Sequence, residues 1–434
     1  MNIIPQKILS DLIKTNSSNP PGNETAVAVY LKALFEQWGI NGEIIEPETG
    51  RGSFIARLGN GNGSKKMLYV SHADVVPAGD DWDFEPFSGE IKDGIIYGRG
   101  ALDCKDLMAA QVSAALQIIA EGKALDGELI IAALADEEKG GKLGAGYLVE
   151  KHLDKIKADF AINEGAEQPI IVNGKMIYFF QVGEKGTAWC KLKARGVSGH
   201  GSVPTLAENA IVKLARAIDG LSSYKPEIVI IPEVKKLISE LASLSNIATS
   251  EEAFADLDAL LDRMDLDRAF RESLRSMSRM TVSPNVISGG TKTNIVPDYC
   301  EADIDIRILP GQDSNYVHEQ LRQVVGDKIE IEFTQEQKPT FTSTDKPYYN
   351  LMVQLTKKLA GNDIICLPAI SSGSTDSKYL RNAGIPSYGI GHMAKGFDRS
   401  ARVTVHGRNE RTDVESVQLK TAFLKELALS YLSS

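Results

Sequence analysis

The sequence predicts an α/β protein with a mainly parallel sheet between helices, and a second, inserted α+β domain. Over the first 170 residues, short and almost continuously apolar segments alternate with helical patterns, which is typical of a parallel sheet covered on both faces. From about residue 184 the predicted order is strand–helix–strand–strand–helix–strand, the split βαβ or ferredoxin-like arrangement. We therefore place the first domain in residues 1–183 and 340–434 and the inserted domain in residues 184–339, with a helical insertion at about 222–280.

The segments of the first domain can be taken in order. Residues 24–38 carry apolar residues at helical spacing and stop at Gly39. The segments that follow are a strand ("KMLYVSHAD"), a helix ("CKDLMAAQVSAALQIIAEG"), a strand ("ELIIAALADEE"), a helix ("GAGYLVEKHLDKI") and a strand ("ADFAINEG").

Composition narrows the functional classes. The chain has 434 residues, enough for two or three domains at ~150 residues each. Its net charge is −10 and it contains no basic block, which argues against nucleic-acid or membrane-surface partners. No apolar run approaches the ~20 residues of a bilayer span. The start lacks a signal-peptide pattern and the four cysteines lack CxxC spacing, so we expect reduced thiols and a cytoplasmic protein.

Polar side chains follow three of the predicted parallel strands. His72 and Asp74 end one strand, the acids at 136–138 end the next, and Glu164 follows a third; Asp103 opens the helix after the first. The carboxyl ends of parallel strands share one edge of a sheet, where ligands bind. A single acid in such a place is usually a solvated turn residue, but this coincidence favours a metal site. Imidazole and carboxylate ligands suit zinc, cobalt or manganese, and several carboxylates leave room for two ions.

Several motifs, in order, carry a family resemblance. They are "SHADVVPAGDDWDFEPFSGEIKDGIIYGRGALDCKD", "ADEEKGG", "INEG", "GVSGHGSVP" and "VHGRNE". Together they resemble the dinuclear zinc hydrolases that include acetylornithine deacetylase, succinyl-diaminopimelate desuccinylase, aminoacylase and glutamate carboxypeptidase. The resemblance spans nearly the whole chain. It implies a zinc-exopeptidase-type catalytic domain, an inserted lid domain and a homodimer formed through the lid.

The resemblance also implies roles for individual residues in the catalytic domain. Asp103 would bridge two ions, one of them also bound by His72 and Glu164 and the other by Glu138 and His406. The peptide between Asp103 and Cys104 is often cis in this family. The further role implied is general base for Glu137. Asp74 is two residues from His72 on an extended segment, so the two share a face and Asp74 is placed to orient the His72 imidazole.

The second histidine ligand and the residue at position 106 differ in how closely they follow the family. Either His392 or His406 could be the second histidine ligand on sequence grounds, and the Asn-Glu that follows His406 matches the family motif. Asp106 stands where relatives commonly have glycine, which adds a negative charge near the site.

Further residues are candidates for contact with the substrate. By resemblance, His200 stabilises the tetrahedral oxyanion, often in the partner subunit's site, and Asn294 and Arg307 hold the substrate's free carboxylate. A guanidinium suits that group, although an ion pair on the strand surface is the alternative for Arg307. Gly373 and Thr375 lie in a glycine-threonine-aspartate segment expected near the substrate.

The predicted function is metal-dependent hydrolysis of an amide next to a free carboxylate. The substrate would be a small N-acyl amino acid or the C-terminus of a short peptide. We expect two divalent ions per subunit, with Zn²⁺ favoured and Co²⁺ or Mn²⁺ as alternatives. The rival hypothesis is a substrate-binding relative that has lost catalysis, and the presence of Glu137 with all five expected ligands argues against it.

Overall fold

The computed structural model describes residues 3–60 and 63–433 and divides into two compact units. The first unit comprises residues 3–60, 63–182, 342–369 and 375–433, and the second comprises 183–341 and 370–374. Segment 370–374, assigned to the first domain from sequence, groups with the second unit. It is held there because Ser371 O accepts from Lys185 N and Ser374 Oγ accepts from Gln337.

The strands are numbered in chain order. They are β1 (Gly42–Ile45), β2 (Ser53–Leu58), β3 (Lys66–His72), β4 (Ile91–Lys92), β5 (Ile95–Tyr97), β6 (Glu128–Leu134), β7 (Phe160–Asn163), β8 (Ile170–Val172), β9 (Lys175–Glu184), β10 (Gly186–Arg195), β11 (Gly199–His200), β12 (Thr281–Gly289), β13 (Ile295–Val296), β14 (Tyr299–Ile308), β15 (Ile329–Gln337), β16 (Thr340–Phe341), β17 (Ile365–Ser371), β18 (Ser387–Ile390) and β19 (Arg411–Asp413).

The helices begin at residues suited to that position. Proline occupies the first turn of three of them, where its missing N–H costs no hydrogen bond, and Asp313 and Asp413 cap two others by accepting from backbone N–H groups. The α-helices are α1 (Pro5–Lys14), α2 (Glu24–Glu36), α3 (Lys105–Ala120), α4 (Tyr147–Lys151), α5 (Leu153–Ile156), α6 (Ala210–Ser223), α7 (Pro232–Leu244), α8 (Glu251–Ala255), α9 (Leu257–Asp262), α10 (Arg268–Ser276), α11 (Ser314–Val325), α12 (Pro347–Ala360), α13 (Ser377–Asn382) and α14 (Val414–Leu432).

The first unit is built on a mixed sheet in the order β1-β2-β6-β3-β7-β18-β9. Its centre is parallel, since β3 pairs in parallel with both β6 and β7, and β7 pairs in parallel with β18. Helices α1, α3, α12 and α14 pack together, and α3 and α14 contact β3 and β6. The apolar side chains of α4 and α13 join a separate core cluster with Leu68, Val70 and Ile130. The predicted α/β class with a mainly parallel sheet is therefore confirmed.

The second unit contains an antiparallel sheet in the order β12-β14-β10-β15. Helices α6 and α11 pack on one face, where alternate residues of β10 and β14 are buried. The order of these four strands and their directions are those of a ferredoxin-like sheet. Helices α7–α10 form the insertion, whose apolar stripes are buried, for example at Leu241 and Leu261. At the C-terminal end of the insertion, the carbonyls of Ser276 and Arg279 accept hydrogen bonds from Lys185 Nζ.

None of the helices in the described part of the chain combines the length and the apolar character that a bilayer crossing requires.

Candidate metal centre

Three neighbouring strands deliver polar side chains to one edge of the first unit's sheet. His72 is the last residue of β3 and lies in register with Leu134 at the end of β6. Glu137 and Glu138 follow β6 in a 3-10 turn, and Glu164 follows β7 directly. Because these strands are parallel and adjacent, the three ends meet, as the sequence predicted.

Asp103 joins this edge through a small second sheet. Strand β19 pairs with β5, so the segment after His406 runs beside the turn that carries Asp103. Asp103 Oδ1 lies 2.9 Å from His72 Nε2, and its Oδ2 lies 3.0 Å from His406 Nε2. One carboxylate thus lies between two histidines and contacts both. The Asp103–Cys104 peptide is cis, in agreement with the family pattern.

Two groups of potential ligand atoms result from this arrangement. Atoms of His72, Asp103 and Glu138 lie within 4.8 Å of one another, and so do atoms of His72, Glu137 and Glu164. His406 Nε2 is 3.2 Å from Glu138 Oε2. The other oxygen of Glu138, Oε1, is buried and lacks a hydrogen-bond partner among the described residues. A donor set of this kind, with a buried carboxylate oxygen left over, fits two divalent cations.

The ionisable groups at this site shift one another's pKa values. Hydrogen bonds to Asp103 and Glu138 raise the pKa of His406 to about 10. Burial alone would raise the pKa of Asp103, but hydrogen bonds from His406 and His72 hold it below its usual range. Burial raises the pKa of Glu137, and the charges of Glu164, Asp376 and Glu138 add to that effect, against the opposing influence of His72.

Asp74 contacts both His72 and the acidic turn. Its main-chain oxygen lies 2.9 Å from His72 Nδ1, whereas its carboxylate oxygen is 3.6 Å away. The carboxylate instead accepts hydrogen bonds from the backbone N–H groups of Glu137 and Glu138, each at 3.1 Å. Asp74 therefore fixes the imidazole through its backbone and the acidic turn through its side chain.

The turn that presents Asp103 is built around Glu410, which was not singled out from the sequence. The Glu410 carboxylate is fully buried and accepts from the backbone N–H groups of Gly100, Leu102 and Asp103 at 2.8–3.0 Å. Arg99 Nη1 donates to it at 2.6 Å. The available signal was its place at the end of the "VHGRNE" motif, four residues after the candidate ligand His406.

A second group of supporting residues lies behind the acidic turn. Asp136 is a buried non-glycine residue with φ +71°, and its carboxylate accepts from Arg51 Nη2 at 2.8 Å. Glu24 accepts from Arg51 and from Asp136 N. Asn19 Nδ2 donates to Asp74 Oδ2 at 2.9 Å. No sequence spacing links residues 19, 24 and 51 to residue 136, so only the fold could identify them.

The two candidate histidines occupy different environments. His406 is at the cluster, with about half of its side chain exposed. His392 is buried, stacks on Phe423 with ring centroids 4.3 Å apart, and is 2.8 Å from Thr356 Oγ1 through Nε2. Burial lowers the pKa of His392 to about 3. Of the two, the structure brings His406 to the carboxylates.

Three candidate substrate residues lie in the second unit. His200 is exposed in β11, and Ser202 contacts its Nδ1 through both N and Oγ. Asn294 is also exposed, and its carbonyl accepts from Gly201 N, so it lies beside His200. Arg307 makes a two-point contact with Asp305, at 2.7 and 3.1 Å, and lies over the Trp189 ring. Arg307 thus has the strand-surface ion pair that was the alternative for it.

Gly373 and Thr375 fall in different units. Gly373 belongs to the second, where its N–H donates to Ser371 Oγ. Thr375 is buried in the first, where its Oγ1 accepts from Ser377 N.

Comparisons with known proteins agree with this centre. Residues 68–430 match the model of peptidase family M20/M25/M40. The chain is 27% identical to a probable succinyl-diaminopimelate desuccinylase of Staphylococcus aureus, over 86% of this chain and 85% of that protein. It is 28% identical to the human N-fatty-acyl-amino acid synthase/hydrolase, over 94% and 84% of the two chains. The fold resembles that of the M20 family metallo-carboxypeptidase Sso-CP2 of Sulfolobus solfataricus, with a TM-score of 0.71, 22% identity and 99% of each chain covered.

The match to the family model covers most of the chain, including every residue of the cluster at the sheet edge. The chain therefore belongs to peptidase family M20/M25/M40 and is a dinuclear metallohydrolase that acts on amide or peptide bonds.

Proposed function

We propose that this protein hydrolyses the amide bond of a small N-acyl amino acid or short peptide, next to a free carboxylate. The observation that carries the proposal is the position of Asp103 between His72 and His406, with Glu137, Glu138 and Glu164 beside it. Asp103 would bind both ions, His72 and Glu164 one of them, and Glu138 and His406 the other.

The two bound ions would polarise the amide carbonyl and lower the pKa of water towards ~7. Glu137 accepts the proton that the attacking water loses and passes it to the departing amine nitrogen. The carbon–nitrogen bond breaks, a carbon–oxygen bond forms, and the products are a carboxylic acid and an amine.

The substrate's free carboxylate would be held by Asn294 and Arg307 and the developing oxyanion by His200, with Gly373 and Thr375 near the substrate. The Arg307 guanidinium already forms an ion pair with the Asp305 carboxylate, so a substrate carboxylate must compete with Asp305 for it. The relatives do not decide between deacylation and peptide cleavage. Their names include a desuccinylase, a fatty-acyl amino acid hydrolase and a carboxypeptidase.

Glu137→Gln tests the general base. We expect kcat to fall by about 10²–10⁴-fold, because the side chain keeps its shape but cannot accept a proton. Metal analysis of the same protein should still find two ions. Glu150→Gln, at an exposed carboxylate of α4, is the matched control and should keep wild-type kcat. A Glu137→Gln protein with most of its activity, or a wild type that binds two ions and hydrolyses neither acyl amino acids nor dipeptides, contradicts the proposal.

The metal is proposed to be Zn²⁺, with Co²⁺ and Mn²⁺ as alternatives, since the donors are imidazole and carboxylate. We also propose a cytoplasmic protein. All four cysteines are free thiols, which suits a reducing compartment.

We propose that the second unit is a lid and forms a homodimer through the edge of its sheet. Among the described strands β12 pairs only with β14, and its Val286 and Ile287 side chains are 55% and 57% exposed. Ile211 and Val212 on the adjacent α6 are exposed as well. An apolar edge strand invites pairing with a second copy.

Sedimentation velocity tests the dimer. The wild type should sediment as a dimer, and Ile287→Lys should sediment as a monomer because a charge is placed in the interface. Ile91→Lys, at an exposed isoleucine of the first unit, should remain dimeric. A monomeric wild type contradicts the proposal.

A further inference from the structure

A cavity of about 300 Å³ opens beside the metal centre, within the first unit. Asp103 and Glu164 form part of its wall, and Leu102, Leu107 and Ile390 contribute apolar surface. Its volume is at the small end of the range for ligand pockets, enough for a short side group rather than a second substrate.

The position of Glu137 shows which part of a substrate this cavity faces. Glu137 must lie near the amide nitrogen to give the departing amine its proton, and it is absent from the described residues that line the cavity. Asp103 and Glu164 are on the lining and Glu137 is not. We therefore assign the cavity to the acyl group rather than to the departing amine.

The lining contains two cations, and each is already paired. Lys420 Nζ contacts the Asp106 carboxylate, and both side chains are almost fully buried, at 5% and 2% exposure. Arg402 contacts Glu167. Among the described lining residues no cation is left for a substrate carboxylate. A charged acyl group would lose its hydration without gaining a partner, whereas an uncharged one would pack against the apolar wall.

We infer that this cavity binds an uncharged acyl group of the substrate, and that Asp106 sets this preference by neutralising Lys420. The inference rests on the proposed amide hydrolysis and narrows its substrate class. Asp106 also accepts from Leu107 N, a contact that asparagine can keep, so Asp106→Asn removes the charge with little change in shape.

The test compares two probes with the same amino acid, N-pentanoyl-L-leucine and N-succinyl-L-leucine. The wild type should show a kcat/KM at least tenfold higher for the pentanoyl compound. Asp106→Asn frees the Lys420 ammonium to bind the succinyl carboxylate, so the ratio should fall at least tenfold. In Asp106→Asn/Lys420→Met the cation is gone, and the wild-type preference should return.

A matched control uses a second ion pair close to the same two helices. Glu121, the residue directly after α3, contacts Lys425 on α14 at 2.7 Å, outside the lining of the cavity. Glu121→Gln should leave the ratio unchanged. A wild type that prefers the succinyl compound overturns the inference, as does an Asp106→Asn ratio within twofold of wild type.

Binding provides a readout that does not depend on turnover. In the Glu137→Gln background, calorimetric affinities for the two probes should show the same preference, and Asp106→Asn should reduce their ratio at least tenfold. Hydrolysis with an unchanged ratio refutes the inference alone. Absence of hydrolysis refutes the proposed function, and the binding ratio then still decides the inference. If Asp106→Asn does not fold, the wild-type ratio decides.

Discussion

The polar sheet edge and the aromatic cluster around His392 both bury ionisable side chains. The sheet edge surrounds them with groups that stabilise a charge, whereas the aromatic cluster does not. At the edge, Glu410 receives three backbone N–H groups and the Arg99 guanidinium. Burial and the nearby Asp103 raise the pKa of Glu410, while these donors oppose the shift. In the cluster, the rings of Phe423, Tyr178 and Phe180 surround His392, and burial keeps its imidazole neutral.

The difference shows what allows a charge to stay buried in this fold. Convergent N–H donors replace the lost hydration at the sheet edge, and rings cannot do so in the cluster. The sheet edge can therefore hold several ionised carboxylates that are able to bind cations. His392, only fourteen residues before His406, stays neutral and lies outside this group of potential ligands. The following predictions test the contrast.

The largest effect is expected at Glu410. Glu410→Ala leaves three backbone donors and the buried Nη1 of Arg99 without their acceptor, so the free energy of unfolding of the metal-free protein should fall by about 3–5 kcal/mol. Urea unfolding in the presence of a chelator measures it. Glu415→Ala, at an exposed carboxylate nearby on α14, should change stability by less than about 0.5 kcal/mol. A loss below about 1 kcal/mol for Glu410→Ala would contradict the view that these donors and the buried Glu410 carboxylate depend on each other.

An intermediate effect is expected at His392 as the pH falls. The folded protein resists protonation of His392 until about pH 3, whereas the unfolded chain binds that proton below pH ~6.5. Stability is therefore lost as the pH drops below ~6.5, by about 2 kcal/mol between pH 7 and pH 5. In the metal-free protein, His392→Gln should lose about 2 kcal/mol less than wild type over this interval.

The matched variant for this pH effect is His318→Gln, at an exposed histidine of α11. It should keep the wild-type difference in unfolding free energy between the two pH values. Equal pH dependence of His392→Gln and wild type would mean that the cluster does accommodate the imidazolium.

The smallest effect is expected at Asn19. Its amide supplies one of the three donors that Asp74 receives, so Asn19→Ala should destabilise the metal-free protein by about 1.5 kcal/mol. Asn23→Ala, at an exposed asparagine in the same segment, is the control. Equal unfolding free energies for the two variants would show that backbone donors alone hold the Asp74 carboxylate.

Most of the cluster at the sheet edge was predictable, because strand-end residues in a parallel sheet must share an edge. His72, Asp103, Glu138 and Glu164 could be placed together from the strands and the helix they adjoin, and the family motifs added His406. The supporting residues Asn19, Glu24 and Arg51 could not be predicted. They lie in the N-terminal segment, before the part of the chain that matches the family model.

By itself, the sequence determined the class of fold, the edge that carries the chemistry and the kinds of ligand gathered there, because hydrophobic patterning and local spacing are properties of neighbouring residues. Tertiary structure alone decided which buried carboxylates receive the N–H groups of the turns, and that Lys420 pairs with Asp106. Each of these depends on the electrostatic surroundings of a side chain. Those surroundings are made by residues hundreds of positions apart, and they exist only once the sheet and its helices have packed.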